Sequence, residues 1–123
     1  MQTQLTTSER TTERTHERTP EQLRAAERVD SLRASIDRID EMLVSLIGER
    51  QRLARAVGTA KKGAGLPPVD ATREHDVIQR IVDHASDHGV SENEARVLAD
   101  QLIRLARTTQ GLPMVSRREA AAA

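Results

Sequence analysis

At 123 residues, with 37% hydrophobic and 31% charged side chains, the chain has room for one core and no second domain. Lysine plus arginine and aspartate plus glutamate number 19 each, so no net field directs it to nucleic acid or an anionic membrane, and any anion site has to be local. Cysteine, Phe, Tyr and Trp are absent, which excludes disulfides and thiolate chemistry and leaves the core to Leu, Ile, Val, Met and Ala.

The opening twenty residues hold no apolar run that would make a signal peptide or a membrane span, so the cytoplasm is the expected compartment. Residues 1–19 repeat a Glu-Arg-Thr unit, as Glu9-Arg10-Thr11, Glu13-Arg14-Thr15 and Glu17-Arg18-Thr19. With almost nothing apolar to bury, they cannot offset their ordering entropy and are expected to form a disordered tail.

A helix start follows. Thr19 suits the N-cap, Pro20 the first helical position, and Glu21 the positive helix end. Val29, Leu32, Ile36, Ile39, Leu43, Leu46, position 50, Leu53, Val57 and Ala60 then alternate spacings of three and four with no proline among them, which predicts one long helix from Pro20 to about Lys62. At about 1.5 Å per residue such a helix is roughly 60 Å long, against a radius of gyration near 14 Å for a compact domain of this size. The remaining helices are too short to cover its seam. A second copy of the chain is therefore expected along it, in an intertwined homodimer.

Gly63-Ala64-Gly65-Leu66-Pro67-Pro68 breaks the pattern as a loop. A second helix is expected from Asp70, its cap, burying Val77, Ile78, Ile81, Val82 and Ala85 and ending at Gly89. Ser91-Glu92-Asn93-Glu94 has the form of a capping box for a third helix, with Leu98, Leu102, Leu105 and Ala106 on its apolar side and Gly111 then Pro113 ending it. The expected architecture is all-α: three helices over residues 20–111, flanked by the tail and by a flexible C-terminal segment, 112–123.

Arg50 stands out because the seam calls for an apolar residue there, and an unpaired charge among Leu46, Ile47, Leu53 and Val57 would be costly. Three readings fit: a buried carboxylate such as Glu74 pairs with it, its head snorkels to solvent, or it binds a ligand anion. Lys61, eleven residues on, differs by only about 20° in azimuth and about 16 Å along the axis, so the two can bracket a small anion. Arg33 lies roughly 25 Å from Arg50 along the same helix and cannot meet it within one chain, but in an antiparallel dimer it approaches the other copy's Arg50. His84 and His88 share a helix face, yet no third ligand is evident, so no metal site is expected.

Taken together, Leu32-Arg33-Ala34-Ser35-Ile36-Asp37-Arg38-Ile39-Asp40, Leu46-Ile47-Gly48-Glu49-Arg50, Lys61, Asp70-Ala71-Thr72-Arg73-Glu74 and Gln110 resemble, in order and spacing, the chorismate mutases of the AroQ class over about residues 29–111. The resemblance implies rearrangement of chorismate to prephenate by a pericyclic shift, without metal, cofactor or covalent intermediate. Catalytic roles fall by family analogy on Arg50, Lys61 and Gln110. Arg50 and the other subunit's Arg33 would hold the two carboxylates, and Lys61 and Gln110 would donate to the ether oxygen as its bond breaks. Gln110, being neutral, donates without first being protonated. Asp70, through its backbone, and Glu74 would contact the ring hydroxyl, with Arg73 supporting them from behind; the alternative for Glu74 is a plain pair with Arg73 or a neighbouring turn. The sequence departs from the family at Ala106, where a small hydroxyl residue is usual, which removes one carboxylate contact. The same fold acting on 4-amino-4-deoxychorismate or as an isochorismate pyruvate lyase, and a non-catalytic helical dimer, are the alternative readings.

Overall fold

The structure, a computed structural model, describes residues 17–114; of the expected tails, 1–19 and 112–123, the parts 1–16 and 115–123 lie outside the described residues, while Leu112 and Pro113 are hydrogen-bonded to Arg107. The described chain is all helical, with α1 at Pro20–Ala64, α2 at Ala71–Ser86, α3 at Glu92–Thr109, and no strand among the described residues.

Each helix begins and ends where local chemistry satisfies its free backbone groups. At the start of α1, Thr19 Oγ1 accepts from the Gln22 N–H at 3.1 Å and Gln22 Oε1 accepts from the Thr19 N–H at 2.8 Å, a reciprocal cap. The helix runs slightly past Lys62 and stops at Gly65, whose φ of +66° suits glycine. Asp70 Oδ1 accepts from the Arg73 N–H at 3.0 Å and starts α2. α2 is shorter than expected: its last turn closes at Ser86, and a turn carries the chain to Gly89. The capping box at Ser91 and Glu94 is present in both directions.

Packing divides the chain into two units within α1, after Val44. In the N-terminal unit α1 buries no side chain, and Leu32, Ile36, Ile39 and Leu43 of the seam are all half exposed or more. In the C-terminal unit, from Ser45 on, α2 and α3 pack against each other. α2 turns Val77, Ile78, Ile81, Val82 and Ala85 inward as its period requires.

The expected inner face of α3 is corrected. Leu98 and Leu105 are exposed, while Ala95 and Ala99 are fully buried and Arg107 is buried at 8% exposure. The row at spacing four, Ala95-Ala99-Ile103-Arg107, faces the core; Leu98 lies about 100° from it and Leu105 about 200° from Ile103. Small residues at the contact let the helices approach closely, and that outweighs the larger apolar area of the leucines. Within this unit α1 is tied to α3 by side chains reaching carbonyls: Arg50 Nη1 donates to Leu102 O at 3.1 Å and Gln51 Nε2 to Leu105 O at 3.1 Å.

Candidate active site

The C-terminal unit encloses a cleft of about 290 Å³, walled by the second half of α1, the Pro68–Asp70 turn, the first turns of α2 and the end of α3. Its floor is apolar, from Leu53, Val57, Val77, Ile103 and Leu112. Four cations, Arg50, Lys61, Arg73 and Arg107, and two carboxylates, Asp70 and Glu74, line it, so the cleft carries a surplus of two positive charges although the whole chain has none. No Ser, Thr, Cys or His is among the lining residues, so the cleft holds no hydroxyl or thiol nucleophile paired with an imidazole base.

Arg50 is half-buried where the seam calls for an apolar side chain. Burial, and then the charge of Arg73, pushes its pKa below the ordinary arginine value, though it stays protonated at any physiological pH. Glu74 is not its partner. Among the described residues the ion pairs are Arg96–Glu92, Arg104–Asp100 and Arg107–Glu74, which leaves Arg50, Lys61 and Arg73 without a carboxylate at salt-bridge distance. Two guanidinium groups close enough to repel, on low-dielectric walls, mark a place where an anion is stabilised.

Lys61 and Gln110 meet at one end of the cleft. Lys61 Nζ donates to Pro68 O at 2.9 Å and to Gln110 Oε1 at 3.4 Å, and Gln110 Nε2 donates to Ala54 O at 2.8 Å. An ammonium has three N–H groups and a carboxamide two, so each keeps a donor for a ligand. Gln110 holds this position as the C-cap of α3, before Gly111 at φ +72°. It also lies against Gly58, where an added Cβ would come within 3.1 Å of Gln110 Cγ.

Six of the seven residues expected at the site, Arg50, Lys61, Asp70, Arg73, Glu74 and Gln110, thus line one cleft. Arg33 is not among them; it is an exposed residue of α1 in the N-terminal unit. Arg73, expected to stand behind the others, lines the cleft itself. Glu74, for which a pair with Arg73, Arg50 or a neighbouring turn is the alternative to contacting the ring hydroxyl, pairs with Arg107 on α3, a residue the sequence reading did not single out. Its signal was its spacing, four residues beyond Ile103 on the buried row of α3, the same kind of anomaly that singled out Arg50. Ala106 lines the cleft as expected of its place, without a hydroxyl. The His84 and His88 rings lie 4.6 Å apart between centroids, and among the described residues no three potential metal ligands cluster.

The described residues form an all-α protein with a cleft of small-molecule size whose lining carries an excess of positive charge. The sequence profile of the chorismate mutase type II family matches residues 32–111, and the chain belongs to that family. A chorismate mutase from Methanocaldococcus jannaschii is 37% identical over 67 residues, 54% of this chain and 68% of that one. The intracellular chorismate mutase of Mycolicibacterium smegmatis is 30% identical over 92 residues, covering 75% and 83% of the two chains. A conserved hypothetical protein from Pyrococcus furiosus is similar in structure, with a TM-score of 0.55 at 29% identity over 67% of this chain and 93% of that one.

Proposed function

We propose that this chorismate mutase works as an intertwined homodimer with two equivalent sites, each a cleft of one copy completed by Arg33 of the other. The reaction turns chorismate into prephenate: an ether carbon–oxygen bond breaks as a carbon–carbon bond forms, and no atom enters or leaves. The protein therefore has to fold the substrate and stabilise the charge that develops on the ether oxygen.

In this reading Arg50 and the partner subunit's Arg33 hold the two carboxylates and fix the diaxial conformer in which the reacting carbons approach. Arg73, which lines the same cleft and whose charge Arg50 feels, strengthens the field on the same dianion. Lys61 and Gln110 turn their remaining N–H groups to the ether oxygen. That oxygen is more negative in the transition state than in bound substrate, so these bonds lower the barrier rather than only tightening binding. Glu74 and the Asp70 backbone receive the ring hydroxyl; each Glu74 oxygen keeps lone pairs after bonding Arg107.

The observation that carries the reading is the cleft's excess of two positive charges, with Arg50, Lys61 and Arg73 unpaired among the described residues, matched to a small dianion. The exposed seam of α1 supports the second copy. No described helix is long and apolar enough to cross a membrane; a cytoplasmic place for the enzyme is supported by the name of the M. smegmatis relative.

The test is to incubate the purified protein separately with chorismate, 4-amino-4-deoxychorismate and isochorismate and to identify the products. Prephenate from chorismate, at the highest kcat/KM of the three, is expected. Pyruvate release from isochorismate, or turnover of the amino compound alone, would replace this substrate with the other.

A further inference from the structure

Arg107 is the most buried charged side chain among the described residues, and each of its three guanidinium nitrogens donates a hydrogen bond within the chain. Nε donates to Glu74 Oε2 at 2.7 Å and Nη2 to Glu74 Oε1 at 2.6 Å, a bidentate pair, while Nη1 donates to Pro113 O at 2.9 Å. The Arg107 carbonyl also accepts from the Leu112 N–H at 2.8 Å, so the chain after Gly111 is pinned to the same residue and brings Leu112 to the cleft wall. The Glu74 bond, against burial, raises the pKa of Arg107, with the attraction of the Glu74 charge adding to it.

The cleft poses an electrostatic problem that this fork solves. Glu74 shares the cleft with Arg50 and Arg73, the unpaired guanidiniums that a dianionic substrate needs. A carboxylate free to swing would pair with either and cancel the charge that attracts the substrate. We infer that Arg107 is a positioning residue: by clamping both oxygens of Glu74 it keeps that carboxylate off Arg50 and Arg73 and aims it at the substrate hydroxyl. Three of the five N–H groups of Arg107 are engaged, two by Glu74 and one by Pro113 O, so its bonds go to holding Glu74 and the chain after Gly111. The inference rests on the site reading given under Proposed function.

A double-mutant cycle on chorismate turnover separates this role from a merely structural one. If Arg107 acts through Glu74, Arg107→Met raises KM about tenfold or more in the wild-type background, the scale of a misplaced binding group, and leaves kcat within about twofold. In a Glu74→Gln background, where position 74 carries no charge to quench the arginines, the same substitution changes KM by less than about twofold. An equal KM factor in both backgrounds, a loss confined to kcat, or no loss in the wild-type background overturns it. Where Arg107→Met loses its helical circular dichroism, the cycle is run with Arg107→Lys, which keeps the charge and gives up the fork. Absence of chorismate turnover in the unmutated protein would sink the site reading itself; additive effects in an active enzyme would sink only the role of Arg107.

Discussion

Lys61 and Gln110 illustrate how a helix end becomes a donor pair. Their side chains are held by carbonyls of Pro68 and Ala54 and by each other, so in the proposed site little reorganisation would remain on binding the ether oxygen of chorismate. Replacing Lys61 by Ala should therefore lower kcat on the order of a hundredfold or more while KM changes little, and an effect confined to KM would contradict its place at the breaking bond. Gly58 supplies the space for Gln110. A methyl group there would sit 3.1 Å from Gln110 Cγ and displace the carboxamide by a few tenths of an ångström. Alanine is also the better helix former, by about 1 kcal/mol. Gly58→Ala is thus expected to raise the melting temperature or leave it unchanged while reducing kcat; a variant with full kcat would show that Gln110 tolerates the shift.

The helices were largely legible in the sequence, and the reason is local. Asp70 and Ser91 cap by hydrogen bonds within four residues, and Gly65, Gly89 and Gly111 adopt the left-handed conformation that ends each stretch, so nothing distant has to be known. The inner face of α3 was not legible in the same way. Hydrophobicity favoured Leu98 and Leu105, whereas the contact with α2 selects small Ala95 and Ala99, a choice set by the distance between two helices that no single-helix period contains. Arg107 was hidden for the same reason: its partner, Glu74, lies on a different helix. Arg50 was legible as a charge on the apolar seam and Lys61 by its azimuth relative to Arg50, whereas Asp70, Arg73, Glu74 and Gln110 entered through the family pattern; all six line the cleft.

The capping box of α3 also gives a prediction at this scale. The Ser91 hydroxyl, and then the Ser91 backbone N–H, hold the Glu94 carboxyl below its ordinary pKa. A depressed carboxylate contributes stability above its unfolded pKa and loses it as pH falls through the folded value. Ser91→Ala should cost about 1 kcal/mol at neutral pH, and the difference from wild type should shrink as the solution is acidified below the ordinary glutamate range. Melts followed by circular dichroism across that range would show it; parallel curves for the two proteins would mean the box is not linked to protonation.

At the scale of the whole molecule, the proposed dimer has to account for two facts that no single copy explains. Along α1, Leu32, Ile36, Ile39, Leu46, Leu53 and Val57 remain about half exposed or more, a continuous apolar seam that costs free energy in water unless something covers it. Arg33, one residue from that seam, belongs by pattern to the site but lies outside the cleft lining. A two-fold, antiparallel partner answers both, because covering the seam also carries Arg33 of each copy toward Arg50 of the other. The arrangement makes a quantitative claim about mixtures. Arg33→Ala and Arg50→Ala proteins should each be nearly inactive, since every site in either homodimer lacks one carboxylate ligand. When the two are unfolded together and refolded, half of the dimers are mixed, and each mixed dimer holds one site with both arginines and one with neither. The mixture should regain about a quarter of wild-type kcat per chain, with sedimentation confirming dimers. Recovery of nothing, in a sample shown to contain mixed dimers, would mean that Arg33 and Arg50 serve a site from the same chain, and the shared cleft would have to be abandoned.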